Sequence, residues 1–284
     1  MTLAIRALTA VLLLPSTACL LPGTDNIERP ITRTFTVTEA DLVRVRVSGG
    51  SITVTTGAAG EVEATLTARA RTNSDAEANE WMADYDVVLE RQENEIVISA
   101  RRKTGAALTQ WFGDSGQIQF RANVRVPANV AVNLDTSGGA IRVEGHRTSA
   151  VTADTSGGSI NVDGSTQPID VDTSGGAITI GRALSDLRAN TSGGSIDVGY
   201  VGPAVRAVDL DTSGGGIRVG VDPQASLKVS ADTSGGGVSA DGLNLTDQTH
   251  ERNRISGSMN GGEGVLRVHT SGGSIRIEAA DDRR

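Results

Sequence analysis

The stretch Asp172-Thr173-Ser174-Gly175-Gly176-Ala177-Ile178-Thr179-Ile180 decides how this chain folds, because versions of it recur along the sequence. Related segments begin at Asp135, Asp154, Asn190, Asp211, Asp232 and His269, each followed by Thr-Ser-Gly-Gly. Successive starting residues lie 19, 18, 18, 21, 21 and 37 positions apart, so the last gap is about two ordinary periods. A fixed period near twenty residues is typical of proteins built from stacked repeats.

Apolar and polar residues alternate on both sides of each turn. Val132 and Leu134 precede the first turn, and Ile141 and Val143 follow it. This period of two predicts β-strands, and no segment between them is long enough for a crossover helix. The sequence therefore predicts an all-β fold, a single-stranded parallel β-solenoid (β-helix) with coils of 18–21 residues.

The turns themselves suggest two roles. Paired glycines are expected to supply backbone conformations that other residues reach only at a cost. The Asp and the Ser or Thr before the glycines are expected to accept hydrogen bonds from turn N–H groups.

The repeated Thr-Ser-Gly-Gly-x-Ile-x-Val units resemble the bacterial DUF4097 family. The ending of the chain, from Gly257 to Val268 and then from Thr270 to Ile275, is also similar to that family. The resemblance covers roughly Val43 to Ile277. It implies a β-solenoid fold and the family's suggested label of adhesin, with no established active site.

The chain divides into four segments by composition. Residues 1–18 resemble a signal peptide of the lipoprotein type, because Arg6 precedes a short apolar run from Ala7 to Leu14. Residues 19–33 are expected to form a tether, and residues 34–131 an irregular N-terminal β region that caps the stack. Ser74 is expected to begin one short helix there, with Glu77 completing a capping box. Residues 132–284 form the regular solenoid.

Cys19 is the single cysteine, which excludes an intrachain disulfide. Small residues precede it, as in a bacterial lipobox, so Cys19 is predicted to carry the lipid that anchors the mature protein to a membrane. Ordinary cleavage after Ala18, which would leave a free thiol, is the alternative. The expected location is the cell envelope, either at the outer membrane or at the periplasmic or cell surface.

The overall charge and the aromatic content restrict the classes of partner that this chain could bind. The formal net charge is -8, which argues against nucleic acid as a partner. Aromatic residues make up only 2% of the chain, which argues against a sugar groove lined with stacking rings. Envelope proteins or surface polymers remain as candidate partners, and no cofactor is expected.

The aspartates before the turns share one register. Stacking would align Asp135, Asp154, Asp172, Asp211 and Asp232 in a column about 5 Å apart, with Asn190 as the exception. Ca²⁺ could offset the repulsion between them, but the glycine-rich nonapeptide of calcium-binding solenoids is missing. Carboxylates that face water and accept turn N–H bonds are the preferred interpretation, so no metal site is predicted.

Trp111 and Phe112 form the most distinctive non-repeated feature, two adjacent aromatics in an apparent loop. If these two side chains are exposed, they form a contact site for a partner. If they pack inward, they belong to the core of the N-terminal cap.

The leading functional hypothesis is a non-enzymatic envelope lipoprotein that acts as an adhesin-like or protein-interaction scaffold. The alternative is an envelope stress sensor or regulator that binds a peptide or an envelope protein. A carbohydrate-active enzyme on a β-helix comes third, because lysine occurs only at Lys103 and Lys228 and aromatic residues are absent after Tyr200. The repeated serines are structural, since catalysis needs one activated copy beside a base.

Overall fold

The computed structural model describes residues 26–103 and 118–282. Their strands form two sheets that share one buried core, sheet A with 11 strands and sheet B with 12. The predicted all-β solenoid is therefore confirmed. Within the described ranges, no helix has the length and apolar character needed to cross a membrane.

The N-terminal region contains seven strands and one helix. They are β1 (Ile27–Thr36), β2 (Leu42–Val47), β3 (Ser51–Thr56), β4 (Glu61–Ala70), α1 (Asp75–Ala83), β5 (Tyr85–Gln92), β6 (Glu95–Arg102) and β7 (Ile118–Val126). β1 begins inside the segment expected to be a tether, so residues 27–33 belong to the folded body. The alternation of Ile27, Ile31 and Phe35 with exposed polar residues explains why this stretch forms a strand.

The regular middle contains ten strands. They are β8 (Ala131–Thr136), β9 (Ile141–Arg147), β10 (Val151–Thr155), β11 (Ile160–Ser165), β12 (Ile169–Thr173), β13 (Ile178–Ala183), β14 (Leu187–Thr191), β15 (Ile196–Val201), β16 (Ala207–Thr212) and β17 (Ile217–Val221). Even-numbered strands belong to sheet B and odd-numbered strands to sheet A, so each coil places one strand in each sheet.

The C-terminal region contains six strands. They are β18 (Leu227–Thr233), β19 (Val238–Asp241), β20 (Thr246–Glu251), β21 (Arg254–Met259), β22 (Gly264–Thr270) and β23 (Ile275–Ala279). The long gap before the last repeat contains the antiparallel pair β20–β21, and β21 pairs antiparallel with β18.

Columns of stacked aliphatic side chains form the core. Ile160 lies opposite Ile141 on one side and Ile178 on the other, and the column continues through the equivalent residue of every following coil. Its isoleucine members are at most 2% exposed; they are Ile52, Ile141, Ile160, Ile178, Ile196, Ile217 and Ile275. Because one coil cannot cover its own apolar face, stability depends on the coils above and below.

The order of the coils in space differs from their order in the sequence at both ends. The strand order of sheet A runs β7-β3-β9 at one end and β17-β23-β19 at the other, and sheet B runs β6-β2-β8 and β16-β22-β18. The coil β2–β3 therefore lies second in the stack, inside β6–β7. The last coil in the sequence, β22–β23, lies between β16–β17 and β18–β19 rather than covering the end.

Antiparallel strands close the stack. At the N-terminal end β5 pairs with β6, and β4 and β1 extend sheet A beyond β7. The helix α1 begins as predicted, with the Ser74 side chain accepting a hydrogen bond from the Glu77 N–H. The capping box is incomplete, because the Glu77 carboxylate accepts a bond from Thr72 instead of returning to Ser74.

The buried threonine of each repeat, rather than the aspartate, organises the turn. The Thr173 hydroxyl donates to the Gly158 carbonyl of the neighbouring coil at 2.9 Å and accepts from the Gly176 N–H at 3.3 Å. The same two bonds recur at Thr155, Thr191, Thr212, Thr233 and Thr270. Each coil is thereby fastened to the next by a hydroxyl that also closes its own turn.

The expected role of the paired glycines was wrong in its physical reason. Among the Ser-Gly-Gly turns, a positive φ occurs only at Gly49, which adopts 69°. What matters elsewhere is space: a Cβ on Gly176 would lie 1.9 Å from the Gly158 carbonyl oxygen, whereas one on Gly175 would meet nothing closer than 3.5 Å. Only the second glycine of this pair is required for the coils to stack.

Candidate functional site: an aspartate ladder and a glycine groove

Three of the predicted site residues lie outside the described residues. Cys19 precedes the first described position, and Trp111 and Phe112 fall between residues 103 and 118. Their roles remain predictions.

The five aspartates do share one row on the outer face of sheet B. Asp154 lies opposite Asp135 and Asp172, and Asn190 lies between Asp172 and Asp211. We call this row the aspartate ladder. Partial burial and the neighbouring carboxylates of Asp172 and Asp135 raise the pKa of Asp154. It is the member with a like charge on both sides, so the repulsion is concentrated there.

Other residues in the same row limit the repulsion elsewhere. Arg46 lies opposite Asp135 at one end, and Arg254 lies opposite Asp232 at the other. His269 comes between Asp211 and Asp232 because β22 inserts between β16 and β18, and its Nδ1 lies 2.8 Å from an Asp232 carboxylate oxygen. The ladder is therefore broken into short acidic runs with basic or neutral neighbours.

The expected turn N–H bonds to these carboxylates are replaced by the threonine bonds described above. Across residues 26–103 and 118–282, no hydrogen bond reaches the side chains of Asp135, Asp154, Asp172 or Asp211. The same ranges contain no group of three or more His, Cys, Asp or Glu residues arranged to hold a metal ion. The ladder is a solvated charged row.

A groove of about 690 Å³ lies on the outer face of sheet A, where its strands end. Its floor includes Gly181 and Gly199, which occupy equivalent positions in β13 and β15; we call it the glycine groove. A Cβ on Gly199 would lie 2.8 Å from the Gly181 carbonyl oxygen, so the coils approach too closely there for a side chain. Acidic residues bound the floor, Asp163 on β11 and Glu278 opposite Gly220.

One wall of the groove is a stack of three interacting groups. The Arg182 guanidinium lies 5.5 Å from the centre of the Tyr200 ring and pairs with Asp282 at 2.5 Å. Burial and the hydrogen bond that Tyr200 donates to Asp222 raise the pKa of Tyr200, so its hydroxyl stays protonated. Arg182 therefore contacts both Tyr200 and Asp282, and Tyr200 contacts both Arg182 and Asp222.

The other wall carries Arg218, which pairs with Glu278 through Nε at 3.0 Å and Nη2 at 2.5 Å, beside Asp197. The groove therefore presents guanidinium donors and carboxylate acceptors around a floor of bare backbone. Such a surface can hold a polar chain by several hydrogen bonds.

The sequence interpretation missed this groove, although a signal was present. Ile180-Gly181, Val198-Gly199 and Val219-Gly220 put glycine at one register in three successive coils, whereas two earlier coils have Glu144 and Asp163 there. A column of glycines outside the turn motif indicates either that backbones approach closely or that a surface is free of side chains. Here the coils approach closely at this register, and Gly181 and Gly199 also leave the floor of the groove free of side chains.

Comparison with known proteins identifies the family. The sequence model of the family described as Toastrack DUF4097 matches residues 44–278. No curated protein matches the chain.

Solved structures show distant likeness. A putative cell adhesion protein from Clostridium sporogenes has 12% identity and a TM-score of 0.34, over 88% of this chain and 100% of that one. A putative adhesin from Bacteroides fragilis has 13% identity and a TM-score of 0.41, over 88% and 97% of the two chains. A putative adhesin from Parabacteroides distasonis has 12% identity and a TM-score of 0.32, over the same shares, 88% and 97%. With most of its length matched by the family, this chain belongs to the Toastrack DUF4097 family.

Proposed function

We propose that this protein is a non-enzymatic, adhesin-like scaffold of the cell envelope that holds an extended polar ligand in the glycine groove. The observation that carries the proposal is the groove itself, where Gly181 and Gly199 in successive coils clear a floor between walls of paired charged groups.

The division between repeated and singular residues supports this function. The repeated residues are occupied with the scaffold, since the threonines fasten coil to coil and the isoleucines fill the core. The turn motif does not specify the groove residues, since Arg182, Tyr200 and Arg218 lie outside it and each come from a different coil. A ligand that crosses several coils would meet all of them, so weak polar contacts would add up.

Anchoring through Cys19 is part of the proposal. Lipidation there would leave the few residues between Cys19 and β1 as a tether and would hold the stack at a membrane surface. We expect the native chain to fractionate with membranes and to gain the mass of acyl groups. A Cys19→Ser variant should appear in the soluble fraction at the unmodified mass; membrane association of that variant would contradict lipid anchoring at this residue.

Binding by the groove is tested with a matched pair of charge reversals. Asp197 lines the groove on sheet A, and Asp209 is exposed on the outer face of sheet B in the next coil. Beads coated with the native chain, Asp197→Lys or Asp209→Lys would be incubated with host cells and with isolated cell-wall polymer. We expect retention to fall about tenfold for Asp197→Lys and to stay unchanged for Asp209→Lys.

Three other results would redirect the proposal. Equal retention of all three coated beads would exclude the groove as the binding site. Polymer recovered with a shorter chain length would indicate an enzyme. Capture of one envelope protein that is lost in a Trp111→Ala, Phe112→Ala double variant would favour the sensor function and move the site to that loop.

A further inference from the structure

Sheet A ends at β1, a ten-residue strand whose outer edge pairs with no strand among the described residues. The opposite edge of sheet A is β19, with four residues, and β20 at the end of sheet B has six, all exposed. Long unpaired edges readily accept another strand, and proteins usually shorten or block them. β1 therefore stands out as the longest edge strand of the described fold.

The backbone groups that β1 presents can be identified. The Val37 N–H donates to the Gly60 carbonyl, so the N–H groups of odd-numbered residues point toward β4 and those of even-numbered residues point outward. Pro30 falls at an outward position, where it has no N–H to offer. The Thr36 carbonyl accepts a bond from Arg91 at 2.6 Å. The open stretch of the edge is therefore centred on Thr32 and Thr34.

The side chains of β1 and the bonded Thr36 carbonyl favour one register for pairing with a second copy. Centring on Thr34 would oppose Thr32 to Thr36, whose carbonyl already accepts the bond from Arg91. An antiparallel pair centred on Pro30 would oppose two prolines, one centred on Ile31 would oppose Arg29 to Arg33, and one centred on Arg33 would oppose two arginines. Centring on Thr32 opposes Ile31 to Arg33 and Arg29 to Phe35, so no like charges lie directly opposite each other and the arginines of the two copies meet only on a diagonal. It also places the half-buried Ile31 diagonally against Ile31 of the second copy, within reach of side-chain contact.

We propose that two copies of this chain pair antiparallel through β1, with Thr32 opposite Thr32 of the second copy, so that the two A sheets become one continuous sheet. The interface is isologous, as a two-fold dimer requires. Its centre is the reciprocal pair of hydrogen bonds between the two Thr32 backbones, flanked by bonds from the Thr34 N–H to the Pro30 carbonyl on each side. Pro30 limits the length of the pairing and keeps it from propagating.

Cysteine cross-linking tests the register. In the full chain with Cys19→Ser, a Thr32→Cys variant places two cysteines at a hydrogen-bonded antiparallel pair, where Cα atoms lie about 5.5 Å apart, within disulfide range. Thr65→Cys is the control, because Thr65 lies beside Thr32 on the same outer face but one strand further in. We expect covalent dimers for Thr32→Cys and at least tenfold fewer for Thr65→Cys. Equal cross-linking of both, or none at Thr32→Cys, would overturn the proposal.

Light scattering supplies the second measurement. The chain of 29.3 kDa should elute with twice that mass at micromolar concentration. Thr32→Pro removes the central outward N–H and leaves the β1–β4 hydrogen bonds in place, as Pro30 already does. We expect it to weaken dimerisation at least tenfold with an unchanged melting temperature, and a monomeric native chain at about 100 µM would contradict the inference.

Discussion

The middle of the stack and its two ends are built by different rules. From β8 to β17 each coil lies beside its sequence neighbours, and the same threonine, glycine and isoleucine positions recur. At both ends a coil lies out of sequence order, antiparallel strands replace parallel ones, and unrepeated residues take over. The middle shows what the repeat alone can specify, and the ends show what a finite stack needs in addition.

The out-of-sequence order of the coils covers the first and last coils of the sequence on both sides. The first coil in the sequence, β2–β3, and the last, β22–β23, are each covered on both sides. The coils outside them, β6–β7 and β18–β19, carry antiparallel strands on β6, β7 and β18, whereas β19 remains the open edge of sheet A. Opening the β6–β7 coil therefore requires breaking pairing on two sides in both sheets, which a simple sequential stack would not demand.

The largest effect is expected in the middle, from Gly176→Ala. The new Cβ would lie 1.9 Å from the Gly158 carbonyl oxygen, and both groups are backbone, so neither can rotate away. We expect a loss of about 3 kcal/mol or more in the free energy of unfolding, measured by denaturant titration. Gly175→Ala, whose Cβ meets nothing closer than 3.5 Å, should cost less than about 1 kcal/mol. Similar losses in both would contradict the stacking explanation.

The next largest loss of stability is expected at the junction between the middle of the stack and its N-terminal end. Arg147 is fully buried and donates to the carbonyls of Val126, Pro127 and Val130, at a register where the next coils have Ser165 and Ala183. Arg147→Ala leaves a cavity and removes three charged hydrogen bonds, which should cost about 2–3 kcal/mol in denaturant titrations. Arg142→Ala, on the exposed face of the same strand, should change stability by less than about 0.5 kcal/mol.

Burial lowers the pKa of Arg147 to about 10. The fold therefore disfavours the charged form, and the resulting cost is present below that pH and relieved as the pH rises toward the ordinary value of 12.5. The carbonyl cluster holds the charge without a carboxylate, which is unlike any repeated position of the middle coils.

A threonine substitution sharpens the comparison further. Thr173→Val keeps the shape and removes a hydroxyl that bonds to both Gly158 and Gly176, so we expect a loss of about 1–2 kcal/mol in thermal or denaturant unfolding. Thr179→Val on the exposed face of β13 is the control and should be neutral. The first coil in the sequence, β2–β3, already has Val47 at the threonine register, beside the turn in which Gly49 adopts a positive φ. Equal losses in both variants would argue against the threonine bonds.

The smallest expected effect is a gain in the free energy of unfolding, from a substitution in the aspartate ladder. Because the pKa of Asp154 is raised by partial burial and by two neighbouring carboxylates, its ionised form is disfavoured in the fold. Asp154→Asn should stabilise the protein by about 0.5 kcal/mol at pH 7. The gain should disappear as the pH falls below the ordinary value of 3.8, where the native carboxyl is protonated in both states. Asp211→Asn, between Asn190 and His269, should show no gain at pH 7.

Much of the middle could be predicted from the sequence because its signals are local. Alternation around Thr-Ser-Gly-Gly predicts the strands, and the constant spacing predicts which aspartates align. The reason for the glycines could not be derived in the same way, since a close carbonyl in the next coil is a contact between residues about twenty apart. The glycine groove was visible as a column of glycines, but recognising it requires knowing which residues close its walls.

The coil order could not be predicted because the repeats are interchangeable at their contacts. Thr212 donates to Gly194, Thr270 donates to Gly215, and Thr233 donates to Gly273, so every coil offers the same bonding groups to any neighbour. The length and strand content of the segments that connect the coils decide which neighbour is chosen. Those segments, such as β20–β21, contain no repeat signal.

Cross-linking of paired cysteines tests the coil order most directly. In a Cys19→Ser background, Asp211→Cys combined with His269→Cys joins positions that lie opposite each other on adjacent strands, whereas Asp211→Cys combined with Asp232→Cys spans an intervening strand. Adjacent strands lie about 4.8 Å apart and alternate ones about 10 Å, beyond disulfide reach. We predict that mild oxidation forms an intramolecular disulfide in the first double variant and not in the second. A disulfide between positions 211 and 232, with none between 211 and 269, would show that the coils stack in sequence order and would contradict the account.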